Sequence, residues 1–262
     1  MTFQPAVIGT GLAGWRALQQ SMPRQREIHD QSPAIARDLD YFRARIGDVQ
    51  SAEELVSDYR LLRVALGAFG LSDEIGSRAL IRRVLAEGTI QEDALANKLT
   101  DRRYRTMARA FGFGDFPTPN SQLPGFSDRI EALYRERIFE VAVGDVAPDM
   151  RLALNASREL ADLAGGAGSS RTKWFTLMGT PPIREVMEVA LGLPASIGTL
   201  PIDRQITEFI DRAEAIFGTS DLSRLGAEPL LAEVLDRFTT LASLSDGATQ
   251  VTSPALVLLR GF

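Results

Sequence analysis

Between Ser51 and Phe116 the apolar residues recur at helical spacing, and this pattern leaves the chain little choice of fold. Leu55, Tyr59, Leu62, Leu66 and Phe69 follow one another at intervals of four and three, which places all five on one face of a helix. Ser51 and Glu54 stand at capping-box spacing at its start, and Gly70 supplies a left-handed residue to end it. Three further helix signals follow with short connections. Ser72, Asp73 and Glu74 open one that carries Ile75, Ala79, Leu80, Ile81, Val84 and Leu85, with its acids favouring the helix dipole. Thr89 and Glu92, a second capping-box pair, open a short helix with Leu95 and Leu99. Asp101 caps a helix with Tyr104, Met107, Ala108 and Phe111 inward, closed by Gly112. The stretch predicts a packed helical unit and contains no visible catalytic machinery.

The rest of the chain follows the same period. Ser32 and Pro33 fit the cap and first turn of a helix with the stripe Ile35, Leu39, Phe42 and Ile46. Three prolines and a glycine between Phe116 and Gly125 break the pattern. Helices are expected beyond it over Asp128 to Val143 and Asp149 to Leu163, then a flexible connection at Gly165 to Ser170, which lacks the lysine of a phosphate-binding loop. The stretch Trp174 to Gly198 echoes Tyr41 to Gly76: each has an aromatic–Phe pair, an acidic amphipathic helix, the tetrapeptide Val-Ala-Leu-Gly and a later Ile-Gly. Ile202 to Phe217 and Pro229 to Leu244 read as the last helices. The expectation is an all-α protein of about nine or ten helices in two similar halves, with little or no sheet. The halves are drawn at 1–116 and 128–248, joined by a Pro-rich connection at 117–127 and followed by an apolar tail at 249–262.

Composition narrows the function. A net charge of -5 argues against a general nucleic-acid or anionic-membrane binder. With no Cys and a single His, thiolate sites and a two-histidine metal site are ruled out. His29 reads as an exposed or capping residue where a helix begins. No apolar run is long enough to cross a bilayer, and the N-terminus lacks the pattern of a cleaved signal peptide. Arg102, Arg103, Arg105 and Arg109 make one helix locally basic, which reads either as a contact surface for an anionic partner or as a solvated face bonded to neighbouring acids.

Gly9, Gly11 and Gly14 satisfy G-x-G-x-x-G behind the apolar pair Val7 and Ile8, the spacing of a dinucleotide turn. The context departs from that fold. A helix from Leu12 is expected to stop at Pro23, the following segment is polar, and Asp30 falls in a loop-like segment where an acid at a strand end is required. No cofactor is therefore expected, and Trp15 and Leu18 read as anchors that pin an N-terminal arm. The alternative is a small-molecule enzyme that uses the Gly9–Gly14 turn for a nucleotide cofactor.

The stretches GLAGWRALQ (11–19), DYFRARIGDVQSAEELVSDYRLLRVALGAFGL (40–71), RRVLAEG (82–88), NKLTDRRYRTMARAFGF (97–113) and WFTLMGTPPIREVMEVALGLP (174–194) together resemble a bacterial family known as domain of unknown function 1217, whose genes commonly lie among flagellar genes. The ending TSPALVLLRGF is also similar to flagellin C-termini. The resemblance implies an association with flagella and brings no catalytic residue or cofactor. The expectation is a non-enzymatic structural, assembly or chaperone-like protein, cytoplasmic or exported without a cleaved signal, whose partners are other flagellar or assembly proteins. A general cytoplasmic helical adaptor is the other alternative. Candidate interaction residues are Trp15, the four arginines Arg102, Arg103, Arg105 and Arg109, and Leu256, Leu258, Leu259 and Phe262 of the tail.

Overall fold

The computed structural model describes the backbone of residues 3–251. Fourteen α-helices are present there, and no strand. They are α1 (Gly11–Asp30), α2 (Pro33–Arg45), α3 (Ala52–Ser57), α4 (Tyr59–Ala68), α5 (Arg78–Glu87), α6 (Leu95–Lys98), α7 (Arg102–Phe111), α8 (Phe126–Gly144), α9 (Pro148–Gly165), α10 (Ser170–Met178), α11 (Pro181–Leu191), α12 (Ile202–Phe217), α13 (Leu222–Leu225) and α14 (Leu230–Val251). The fold is all-α, as the periodicity predicts. The count exceeds nine or ten because several helices are only one or two turns long, too short to show a period of their own.

The local signals explain most boundaries. Ser51 Oγ accepts from the Glu54 N–H, and the Glu54 carboxylate accepts from the Gln50 N–H at 2.8 Å. Asp101 caps α7, and Gly112 ends it at φ 69°. The helix expected from Ser51 to Phe69 is broken. Asp58 is extended, and its Oδ1 accepts from the N–H groups of Arg60 and Leu61 at 2.9 and 3.1 Å, so α4 starts afresh with its own N-cap. The restart takes Tyr59 out of the apolar stripe: it is 49% exposed, while Leu55, Leu62, Leu66 and Phe69 are buried.

Three other expectations are corrected. Pro23 lies inside α1, which runs on to Asp30, where the reading placed a stop and a polar loop. Proline removes one helix hydrogen bond, but Gln25 and His29 on the continuing segment are buried, and that packing sustains it. Thr89 caps no helix, because its N–H and hydroxyl are both bonded to the Asp115 carboxylate. The helix expected from Ser72 is a 3-10 turn over Ser72–Gly76 followed by α5.

Two compact units are formed. The first takes the chain up to Gln4 and Arg24–Ala142; the second takes Pro5–Pro23 and the chain from Val143. The division falls within α8 and not at the Pro-rich stretch, since Phe126, Ile130 and Tyr134 belong to the core of the first unit. That core centres on Phe111, with Phe126 edge-on at 5.2 Å and Phe113 stacked at 5.6 Å. In the second unit Trp174 is fully buried, meets Phe209 at 6.1 Å and donates from its indole N–H to the Ser220 carbonyl. Beside it the buried Lys173 ammonium donates to the Ala164 carbonyl and Ser223 Oγ, both at 2.7 Å.

The internal echo is real in local structure but sits three residues from the Val-Ala-Leu-Gly match. Gly67 lies within α4 against the Tyr134 ring, whereas Gly70 is the residue that turns left-handed. Its counterpart is Gly192, and the common sequence is Gly-Leu-x-x-x-Ile-Gly at Gly70–Gly76 and Gly192–Gly198.

Candidate interaction surface

The exposed face of α2 and α4 in the first unit gathers arginine and tyrosine from two segments. At helical spacing α2 presents Ala34, Arg37, Asp38 and Tyr41, and α4 presents Tyr59, Arg60 and Arg63. Between the helices lies a hollow of about 400 Å³ lined by Ala34, Arg37, Asp38, Arg60 and Arg63. Arg63 is paired with Asp38, which is itself buried. The Arg60 guanidinium lies 4.0 Å from the centre of the Tyr41 ring and donates to the Arg37 carbonyl at 2.8 Å. Arg37 Nε donates to the Pro33 carbonyl of its own helix at 2.9 Å. Tyr59 stands next to Arg63, which lines the hollow, with the guanidinium groups of Arg63 and Arg78 at 5.8 and 5.9 Å.

Asp58 locks the edge of this face. Its Oδ2 accepts from the Tyr41 hydroxyl at 2.6 Å, which with burial raises the Tyr41 pKa. Desolvation pushes the Asp58 carboxyl up, but the Tyr41 hydroxyl, the two backbone N–H groups and the charge of Arg45 outweigh it and hold the carboxyl below its ordinary value. Chemically the arrangement is a set of forked cations on a rigid helical base beside an exposed aromatic ring, suited to receiving an anionic group.

The residues singled out in the sequence lie elsewhere. In the second unit Gly9 and Gly11 take positive φ, and a Cβ on Gly14 would come within 2.5 Å of the Gly9 carbonyl oxygen. A Cβ on Gly11 would meet Ser243 of α14. The segment before the turn is not a strand, and the glycines serve close packing within the chain. Trp15 is 1% exposed and Leu18 is fully buried, so both are core anchors as the sequence predicts, and Trp15 is corrected as a candidate interaction residue. On α7, Arg103 is held by Asp101 and the Gly70 carbonyl, while Arg102, Arg105 and Arg109 are exposed. Leu256, Leu258, Leu259 and Phe262 lie outside the described residues, and α14 continues past the expected Leu244 to Val251.

His29 is the other correction. It lies in the last turn of α1, 3% exposed, with Phe3 and Phe139 edge-on at 5.4 and 5.5 Å. Its Nδ1 is 3.2 Å from Asp30 Oδ1, and Arg135 is bonded to the same aspartate. Burial lowers its pKa against the opposing pull of Asp30, which favours the neutral ring. The second unit has a hollow of about 420 Å³, lined by Leu12, Phe217, Glu233, Asp236, Arg237 and Leu241 among others, with Arg16 paired to Asp236 at 2.8 Å.

No helix among the described residues is long and apolar enough to cross a membrane. A family model described as protein of unknown function (DUF1217) matches residues 68–225. The X-ray crystal structure of a protein from Agrobacterium tumefaciens is similar in fold, with a TM-score of 0.70 and 24% identity over 92% of this chain and 98% of that one. No curated protein matches the chain. The hollow between α2 and α4 precedes the matched range.

Proposed function

We propose, from the premise that the chain belongs to the DUF1217 family of unknown function, that it is a flagellum-associated protein that works by docking other proteins on its helical surfaces and not by catalysing a reaction. The observation that carries this reading is the exposed Tyr59 set between Arg63 and Arg78, with Arg63 lining the hollow between α2 and α4. Tyrosine and arginine are the residues that concentrate binding energy at protein interfaces, the first through a rigid amphipathic ring and the second through a planar fork. The base of this face is fixed by the Tyr41–Asp58 bond and the Asp38–Arg63 pair, so a partner meets side chains already held in place. The flagellar setting is supported by the stretches in which the chain resembles its family.

Deletion of the gene, with swimming scored in soft agar and filaments counted by electron microscopy, tests the reading. Loss of swimming restored by the gene in trans is the expected result. Normal swimming and normal filaments would assign the chain to a general adaptor role instead. Nicotinamide or flavin titration tests the enzymatic alternative: saturable binding abolished by Gly11→Ala would overturn the non-catalytic assignment.

A further inference from the structure

Three guanidinium groups line the hollow between α2 and α4, and among the described residues only Arg63 of the three has a carboxylate partner. Arg60 is held by a carbonyl and a tyrosine ring, and Arg37 by a carbonyl. Neither contact cancels a charge, so the hollow retains positive potential that a partner can neutralise. The other acid at this edge, Asp58, keeps its charge because the Tyr41 hydroxyl and the two N–H groups of α4 are neutral. With both oxygens so engaged it pairs with neither Arg37 nor Arg60, and the three arginines outnumber Asp38 and Asp58.

We propose that this hollow receives an acidic segment of a partner protein, with its carboxylates bound by Arg37 and Arg60 and its apolar stems lying against Tyr59. The inference rests on the docking reading above and names the chemistry of the partner. Arginine forks match a carboxylate with two parallel hydrogen bonds. The exposed Tyr59 ring beside Arg63 gives a peptide apolar contact that a free inorganic anion would not use. The chain's net charge of -5 repels an extended polyanion such as nucleic acid, whereas a short acidic segment meets only the local field.

The test is a titration of the purified full-length protein with a fluorescein-labelled hexaglutamate peptide in low salt. Two double variants of equal charge change are compared: Arg37→Gln with Arg60→Gln, and Arg105→Gln with Arg109→Gln on α7. The wild-type protein is expected to bind the peptide, and added salt to weaken the complex. The first double variant should lose about tenfold or more in affinity. The second should stay within about twofold, since it removes only exposed charge that does not line the hollow. Arg37→Gln alone is the fallback if the double variant fails to fold, because that side chain bonds only within its own helix. Absence of wild-type binding, or equal loss in both double variants, overturns the proposal. Competition by inorganic phosphate at the same concentration as peptide also overturns it, and makes the hollow a phosphate site. None of these results touches the reading above, whose flagellar setting fails if the deletion strain swims normally and whose non-catalytic part fails if a nucleotide cofactor binds through Gly11.

Discussion

Helix α4 in the first unit and α11 in the second end in the same way and begin differently. At the end of α4, Leu71 N–H bonds to the Leu66 carbonyl and Gly70 N–H to the Gly67 carbonyl. At the end of α11, Leu193 N–H bonds to the Glu188 carbonyl and Gly192 N–H to the Val189 carbonyl. Both are the paired bonds that follow a left-handed glycine, at φ 69° and 64°. In that register five buried positions coincide: Leu61 with Ile183, Val64 with Val186, Ala65 with Met187, Ala68 with Ala190 and Phe69 with Leu191, whereas the buried Leu62 and Leu66 stand where α11 has Arg184 and Glu188. The outward positions do not. Tyr59, Arg60 and Arg63 stand where α11 has Pro181, Pro182 and Glu185. A common buried face fixes the helix and its terminator, while the solvent face is left to carry different chemistry. In the first unit that chemistry is cationic and aromatic.

The largest expected effect separates two residues at one register. Leu66 is fully buried, so Leu66→Ala should cost about 2–5 kcal/mol in urea unfolding followed by far-ultraviolet circular dichroism. Its counterpart Glu188 is bonded on the helix surface to Arg184, and Glu188→Ala should cost less than about 1 kcal/mol. Comparable losses would mean that the register is wrong. The next position divides the helices again. A Cβ on Gly67 would come within 2.6 Å of the Tyr134 ring, so Gly67→Ala should overpack the core and cost about 1–3 kcal/mol. Val189→Ala at the same position should be milder.

The two left-handed glycines should behave alike. Gly70→Ala and Gly192→Ala each place a side chain in the left-handed region and should each cost about 1–2 kcal/mol. A loss at one and not at the other would break the correspondence. The smallest effect belongs to the helix starts. Asp58→Ala removes the N-cap of α4 and should cost about 1 kcal/mol at neutral pH, whereas Thr180→Ala removes no side-chain cap bond from α11. The Asp58 carboxyl titrates below its ordinary value in the folded protein. Its stabilisation is therefore present above that ordinary value and is lost as the pH falls through the lowered one. The wild type and Asp58→Ala should converge in strong acid.

What the sequence disclosed follows the range of the interaction. The Ser51–Glu54 box, the Asp101 cap and the glycines Gly70 and Gly112 are legible because each partner lies within a turn or two. Thr89 departs from its capping-box spacing because its partner, Asp115, is 26 residues away. Pro23 does not end α1 because the helix beyond it buries Gln25 and His29, a tertiary effect that outweighs local preference. The candidate surface was hidden for the same reason: Arg60 meets the Arg37 carbonyl across 23 residues, and neither segment looks basic by itself. The α7 arginines form a visible run, yet Arg103 is bound within its own unit. The spacing alone places Tyr59 on the buried stripe because the extended Asp58 that rotates it outward leaves no mark on that spacing.

The central claim, that function resides on the cationic face of α2 and α4 and not on the shared helical frame, is tested most directly by swimming in soft agar. Strains carrying Arg37→Gln with Arg60→Gln and Arg105→Gln with Arg109→Gln are compared at equal protein levels with the wild type and the deletion. The first strain is predicted to swim no better than the deletion, and the second to swim as the wild type does. Normal swimming by the first strain beside a non-motile deletion, or failure of both double variants alike, would contradict the claim.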